Sequence, residues 1–422
     1  NWPYNRHGEL DIHRPYIDKV MLACEECEGE MQRVREVADV WFDSGAMPYA
    51  QDHFPFDQGS ADFSKIHYPA DYIVEAVDQT RGWFYNLLSV ATLLGQPAPY
   101  KNVISLGHVL DTKGKKMSKS LGNIVDPGML IDKYGADSVR WYFFTVNQPW
   151  DSKLFDEKDV QDSSRRFFMI FWNSFQSWKL YGDASAGFSA PQPKLVINQW
   201  VVADLHKTIG DVTTAIDAYD LVTAARIIEN FVVEDLSRWY IRRIRGVVKE
   251  ETQEAGETIE VLRYVLLETC KMIAPFAPFL ADEVYRALGD KDMSVHLSEW
   301  PEATPSTEDE ALLGAMTSAR VVVASALEAR AKAGVKVRQP LLAASVQHTP
   351  FSVAGIEDLI KEEVNIKEIR FNPKQTELVV LDMTITDELR EEGRVRDMVR
   401  AIQDARKKAG LMPGHLRALV CD

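Results

Sequence analysis

The chain has few cysteines, no long apolar run and a deficit of positive charge, and each scarcity removes a class of protein. Four cysteines among 422 residues cannot build the disulfide framework of a small secreted fold. No stretch reaches the ~18 consecutive apolar residues of a membrane-spanning helix. The opening NWPYNRHGELDIHRPY has neither an apolar signal core nor a cleavage pattern. These absences predict a soluble, cytoplasmic protein. Lys and Arg number 48 against 63 Asp and Glu, a formal charge of −15, which argues against a general polycation that binds nucleic acid. Local basic patches remain compatible with it, because salt screens surface charge beyond roughly 10 Å.

Apolar residues make up 46% of the sequence, enough for sizeable cores, and the length suggests about three domains. Residues 1–145 alternate short β-like runs with helical ones. Tyr72-Ile73-Val74 leads into a segment whose Trp83, Phe84, Leu87, Leu88, Ala91 and Leu94 recur at helical spacing, stopped by Gly95, Pro97 and Pro99. Asn102–Leu106 reads as a buried strand, and Asp126-Pro127 opens a helix that Gly135 ends. That rhythm predicts a parallel α/β sheet, half of a Rossmann-type nucleotide-binding fold. Residues 146–193 form a connecting segment with the aromatic run RRFFMIFWNSFQSW and the small-residue stretch YGDASAGFSAPQP. From 194 to 340 three apolar stripes predict an all-α helix bundle. They run through Trp200 to Ile216, Ala225 to Trp239 and Ile259 to Ile273, and a fourth helix over 308–333 ends at Gly334. Residues 341–422 mix β-like runs such as TELVVLDMTIT with a charged last helix, predicting a small α+β domain. Its final HLRALVCD looks like a strand begun and cut off.

The most informative segment is Lys115-Lys116-Met117-Ser118-Lys119-Ser120, flanked by Gly114 and Gly122. Ammonium groups, hydroxyls and closely approachable backbone suit a polyphosphate, although a solvated surface loop fits the composition too. Upstream stand Asp39-Val40-Trp41-Phe42-Asp43-Ser44-Gly45 and Glu75-Ala76-Val77-Asp78-Gln79-Thr80-Arg81-Gly82-Trp83-Phe84. If 75–94 is one helix, Glu75, Asp78, Gln79 and Gly82 share a face at its N-terminus. Carboxylates there suit a ribose diol and the helix end an anionic phosphate. On spacing alone the same residues also fit a capped helix with core aromatics.

Lys-Met-Ser-Lys-Ser between a strand and a helix resembles the signature loop of class I aminoacyl-tRNA synthetases. The Trp41 and Gln79–Phe84 segments are similar to the isoleucyl enzymes in particular. So are Ser237-Arg238-Trp239-Tyr240-Ile241-Arg242-Arg243, Ala274-Pro275-Phe276-Ala277-Pro278-Phe279 and Val335-Lys336-Val337-Arg338-Gln339-Pro340. The resemblance covers nearly the whole chain. It implies that Trp41 and Trp83 flank an isoleucine side chain, that Glu75 and Asp78 bind the adenylate ribose, and that Gln79 touches the aminoacyl phosphate. Ser118 and Lys119 would bind ATP, held with Mg2+, and Lys116 and Lys119 would neutralise charge on its phosphates in the transition state. The implied reaction is attack of the isoleucine carboxylate on the α-phosphate, followed by acyl transfer to the tRNA. A hydrophobic pocket rejects valine only weakly, a limit for which this family is the standard illustration, so the resemblance also implies hydrolytic editing in the complete enzyme.

The family's His-Ile-Gly-His-type motif is not among the nine histidines. The chain therefore reads as the C-terminal portion of a longer ligase, lacking that motif and the editing domain and inactive in isolation. Cys24-Glu25-Glu26-Cys27 has metal-knuckle spacing, but two thiols are half of a tetrahedral zinc site; a second pair elsewhere in the complete protein would be needed. Between Ser237 and Lys249 five basic residues, Arg238, Arg242, Arg243, Arg245 and Lys249, stand with Trp239 and Tyr240 and no acid. By resemblance, Arg238, Trp239, Arg242 and Arg243 are the candidates for binding tRNA(Ile). Relatives are usually monomers. The rival readings are a standalone tRNA-binding module or inactive paralogue, and, within the class, the valyl enzyme.

Overall fold

The computed structural model describes residues 4, 6–36, 39–56, 62–185, 191–289, 293–304, 306–347 and 350–410. It divides into two compact units, Asn1–Ile124 with Asn147–Phe155, and Val125–Val146 with Asp156–Asp422. The final HLRALVCD lies outside the described residues.

In the first unit, β1 (Met21–Ala23) and β2 (Glu30–Gln32) form an antiparallel hairpin. Helix α1 (Val40–Gly45) starts where the Asp39 carboxylate accepts the Trp41 N–H at 3.0 Å. Strands β3 (Ala70–Ala76) and β4 (Tyr100–Leu106) pair in parallel, from Ala70 opposite Tyr100 to Ala76 opposite Leu106. Parallel strands need a crossover, and α2 (Trp83–Leu93) supplies it, packing Phe84 and Leu87 onto Ile73. Gly95, at φ +66°, ends the helix as expected. Further on, β5 (Val109–Leu110) pairs in parallel with β6 (Lys153–Leu154). The buried Lys153 ammonium donates to Asn147 Oδ1 at 2.6 Å and to the Gln148 carbonyl at 3.0 Å, and burial lowers its pKa. It holds the 147–153 turn in place.

The second unit is helical. Helix α3 (Pro127–Tyr134), capped by Asp126 and stopped by Gly135 at φ +82°, leads into α4 (Ala136–Thr145) and the aromatic helix α5 (Glu157–Lys179). The bundle follows as α6 (Val196–Asp217), α7 (Leu221–Asn230), α8 (Gln253–Ile273), α9 (Pro278–Leu288) and α10 (Thr307–Lys332). A three-stranded sheet closes the unit. Its central β7 (Leu341–Val346) is flanked by parallel β8 (Ile366–Phe371) and antiparallel β9 (Val379–Leu381), with α11 (Ile356–Val364) and α12 (Asp387–Lys408) alongside. One continuous apolar core runs through the bundle and onto this sheet. By length and composition α10 could cross a membrane, yet Leu312, Met316, Ala319, Val322 and Ala326 are buried in that core.

Three expectations change. Residues 75–94 are not one helix: Glu75 and Ala76 end β3, Val77–Arg81 form a 3-10 turn, and α2 begins only at Trp83. The parallel ladder with β4 holds 75 and 76 extended. The second bundle stripe leaves α-geometry after Asn230, and Phe231–Ile241 is π-helical. Its wider turn buries Phe231, Val232 and Val233 in succession. Of TELVVLDMTIT, only Val379–Leu381 pairs as strand.

Trp141 on α4 is fully buried, stacked 3.8 Å from the Phe167 ring of α5, edge-on to Phe276 at 6.0 Å, with its indole N–H donated to Glu229 at 3.1 Å. Trp141→Ala is expected to cost about 3–5 kcal/mol in the second unit, read as a lowered urea midpoint, with Trp141→Phe costing less than half of that.

Candidate functional site

The carboxyl ends of parallel strands are where open α/β sheets bind ligands. At the end of β3, Glu75 and Asp78 are exposed. The Gln79 carboxamide oxygen accepts the Trp83 N–H at 2.9 Å, capping α2, while its nitrogen donates to Asp78 Oδ2 at 3.1 Å. The Trp83 indole N–H donates to the Ser44 carbonyl of α1 at 3.1 Å, and the Ser44 hydroxyl donates to the Trp41 carbonyl at 2.8 Å. Thus Trp41 and Trp83, 42 positions apart, are brought to one junction. Two glycines make it possible. A Cβ on Gly82 would stand 2.6 Å from Gln79 Oε1 and 3.3 Å from the Trp41 ring, and one on Gly45 would stand 2.7 Å from the Asn86 carbonyl oxygen of α2. The predicted helical face of Glu75, Asp78, Gln79 and Gly82 is replaced by a strand end, a 3-10 turn and a helix start, which still keep these residues consecutive at one end of the sheet.

The lysine loop leaves the same end of β4 through Gly107 and β5. It is less open than composition suggests. Lys116 bridges back to Leu110, and Gly114, at φ +76°, makes the turn. Lys113, Lys115 and Lys116 are exposed, Ser118 is half-buried and Lys119 opens the short 3-10 turn Lys119–Leu121; the Lys119 side chain lies outside the described part. Sequence reasoning missed the two side chains that order this loop, Asp111 and Asn123, although an Asp and an Asn just outside a glycine-bounded loop are a turn signal. The Ser118 and Ser120 hydroxyls are 3.1 Å apart.

The Cys24–Cys27 turn offers two thiols, half the ligands of a tetrahedral site. The Cys24 N–H donates to the Gly29 carbonyl at 2.9 Å. Backbone N–H groups of Glu26 and Cys27, with the Cys27 side chain, favour the Cys24 thiolate and lower its pKa. Among the described residues no three His, Cys, Asp or Glu side chains gather to hold a metal, so the two thiols do not by themselves fit a tetrahedral zinc ion.

In the second unit, the basic segment splits into two faces. Arg238 and Arg242 are exposed and paired with Glu234 and Glu363. Of the two aromatics, Tyr240 is turned inward and Trp239 is partly exposed. Tyr240 is fully buried and donates to Asn198 Oδ1 at 2.8 Å. Trp239 is half-buried, with the Arg243 guanidinium 3.7 Å from its ring centroid and Arg320 at 5.2 Å. Arg243 reaches Glu363 at 3.3 Å, and burial pulls its pKa down to about 10. The helical period explains the split: residues buried on one side of 231–244 leave Arg238, Arg242 and Arg245 outward. The last helix, α12, pairs its arginines internally, Arg394 with Glu391 and Arg396 with Glu392.

A cavity of about 370 Å³ between α6, α7 and the π-helical stretch is lined by Asp204, Lys207, Asp211, Arg226 and Asp235, with Ile227 and Phe231 among others. Burial, with Asp235 and Asp211 nearby, pushes Asp204 up to about 7, against the opposing pull of Arg320 and Lys207. A carboxyl whose folded pKa exceeds its unfolded value of about 4 gives stability that is full below pH ~4 and is lost as pH rises through ~7. Asp204→Asn should therefore gain on wild type by about 1–3 kcal/mol between pH 5 and 8, measured as paired urea unfolding curves; parallel pH profiles would contradict this.

Residues 5–154 match the family described as tRNA synthetases class I (I, L, M and V), and residues 198–347 match the anticodon-binding domain of tRNA ligase. Curated relatives include isoleucine–tRNA ligases of Dehalococcoides mccartyi (38% identical, 95% of this chain, 42% of the relative), Deinococcus radiodurans (42%, 88% and 36%) and Porphyromonas gingivalis (34%, 96% and 43%). The chain thus spans about two-fifths of the length of the curated relatives it matches. Among solved structures, the LeuRS of Agrobacterium radiobacter K84, in a ternary complex with tRNA and LeuAMS, matches with a TM-score of 0.53 at 22% identity, over 69% of this chain and 36% of that one. The methionyl-tRNA synthetase of Mycobacterium tuberculosis, in complex with methionyl-adenylate, matches with a TM-score of 0.51 at 20% identity, over 64% and 53%. These two likenesses are of fold alone. Two family segments that together cover most of the chain show that it belongs to the class I aminoacyl-tRNA synthetases, and over that length it is similar to isoleucine–tRNA ligases at 34–42% identity.

Proposed function

We propose that this chain is the part of an isoleucine–tRNA ligase that carries the phosphate-neutralising loop, one wall of the isoleucine pocket and the tRNA-binding bundle. The observation that carries the reading is the convergence of Trp41, Trp83 and the Glu75–Gln79 turn at the end of a parallel strand pair from which the lysine loop also departs. Mg2+-bound ATP is the co-substrate. Lys116 and Lys119 offset the charge that builds on its phosphates as the isoleucine carboxylate attacks the α-phosphorus, breaking the α–β bond to release pyrophosphate and leave isoleucyl-adenylate, an electrostatic role that needs no proton transfer. Ser118 donates to a phosphate oxygen, and Glu75 and Asp78 accept from the ribose hydroxyls. Gln79 contacts the acyl phosphate by exchanging its bond to Asp78 for one to substrate. Trp41 and Trp83 enclose the isoleucine side chain. The missing histidine motif would have to come from other residues of the complete protein, as would two further ligands if Cys24 and Cys27 hold zinc.

On the tRNA side, Arg238 and Arg242 contact phosphates of tRNA(Ile), with Trp239 and Arg243 supporting them from within. The working division is catalytic residues 1–145, a connector at 146–193, the anticodon bundle at 194–340 and a small domain at 341–422. We infer a monomeric, cytoplasmic enzyme.

The test is isoleucine-dependent ATP–pyrophosphate exchange by the full-length protein containing this chain. Lys119→Ala and Lys116→Ala should each lower kcat by about 100-fold, and Trp83→Ala should raise KM for isoleucine, while the 422-residue chain alone gives no exchange. Exchange driven by valine in preference would favour the valyl reading. No exchange with any amino acid, alongside retained tRNA binding, would favour a binding module. Removing either Arg238 or Arg242 should reduce the slope of log K for tRNA against log salt by about one.

A further inference from the structure

The lysine loop is tied shut at its base by two side chains. One Asp111 carboxylate oxygen accepts the N–H groups of Lys113 at 2.9 Å and Lys115 at 2.8 Å. The other accepts the Asn123 side-chain N–H at 2.9 Å. The Asn123 carboxamide oxygen then accepts the Ser118 N–H at 2.9 Å, and its nitrogen also lies 3.4 Å from the Lys116 carbonyl. The Asp111 N–H donates to the Lys115 carbonyl, and the Gly114 N–H to the Asp111 carbonyl, both at 2.9 Å. Both Asp111 carboxylate oxygens and both polar atoms of the Asn123 carboxamide have partners here, and both side chains are half-buried. Lys113, Lys115 and Lys116 remain exposed.

We propose that Asp111 and Asn123 are positioning residues for the phosphate-transfer step: as a two-part latch they fix the backbone from Lys113 to Ser118, so that the lysines and the Ser118 hydroxyl stand ready before phosphate arrives. A segment with three lysines and glycines on either side would otherwise sample many conformations, and ordering it would have to accompany binding. The latch holds the backbone without using a lysine, leaving the cationic groups available. The inference rests on the phosphate role of the loop proposed above.

The pairing has a polarity that can be reversed. Asp111→Asn alone sets two amide groups against each other, and Asn123→Asp alone sets two carboxylates against each other. The double swap restores complementarity: residue 111 still accepts from the 113 and 115 amides and now donates to residue 123, which still accepts from Ser118. In the full-length protein, each single variant should lower kcat for isoleucine-dependent exchange by tenfold or more, with KM for isoleucine unchanged, and the swap should return to within about threefold of wild type. Single variants as fast as wild type, or a swap no faster than the slower single variant, would overturn the latch. Hydrogen exchange at the Ser118 amide separates this from the underlying reading. Slow exchange in wild type and the swap but fast exchange in the single variants supports the latch even if no aminoacyl chemistry is found, and fast exchange in wild type overturns it.

Discussion

The parallel pairing of β3 with β4 is the constraint on which the first unit of this chain depends. Parallel strands share a direction, so their carboxyl ends lie on one edge, and whatever follows each strand is delivered there. The turn carrying Glu75–Gln79 follows β3, and the path to the lysine loop follows β4. Because the crossover is a helix, its N-terminus arrives at the same edge, bringing Trp83 against Ser44 of α1, the helix that carries Trp41. One backbone ladder therefore gathers three segments far apart in sequence.

The second unit depends on how it accommodates charge inside an apolar bundle. Arg330 is almost completely buried, yet its guanidinium donates to the carbonyls of Gln339 at 2.9 Å and Asn365 at 2.8 Å, locking the end of α10 onto the sheet. Arg320 lies 5.9 Å from the Trp200 ring and 5.2 Å from that of Trp239, and it pairs with Asp235. Arg243 continues the series beyond Trp239. Alternating guanidinium and indole groups thus join α6, the π-helical stretch and α10. Such an arrangement keeps cations in the interior by surrounding them with aromatic faces and acceptors.

Much of this was legible in the residues. The bundle stripes, the Asp126 and Gly135 helix limits and the strand–helix–strand rhythm follow from period and punctuation, which are local signals. The start of α2 was not legible, because the same residues satisfy a helical period and only pairing with Tyr100–Leu106 holds Glu75 extended. Nor did composition reveal which basic residues face inward. Arg243 and Trp239 sit beside Glu363 and Arg320, residues distant in sequence that no local pattern could announce. At the site, the motif letters named the lysines and tryptophans but passed over Asp111, Asn123 and Ser44, whose roles are bonds to backbone atoms.

Among the described residues β3 and β4 pair only with each other, and Tyr72, Val74 and Val103 are exposed along them. Parallel sheets in proteins are almost always covered on both faces, and an unpaired strand edge is a template for another strand. The ladder that assembles the site thus also carries exposed apolar side chains beside open strand edges. In colloidal terms such an edge sets a concentration limit: self-association through it grows with the number of chains per volume.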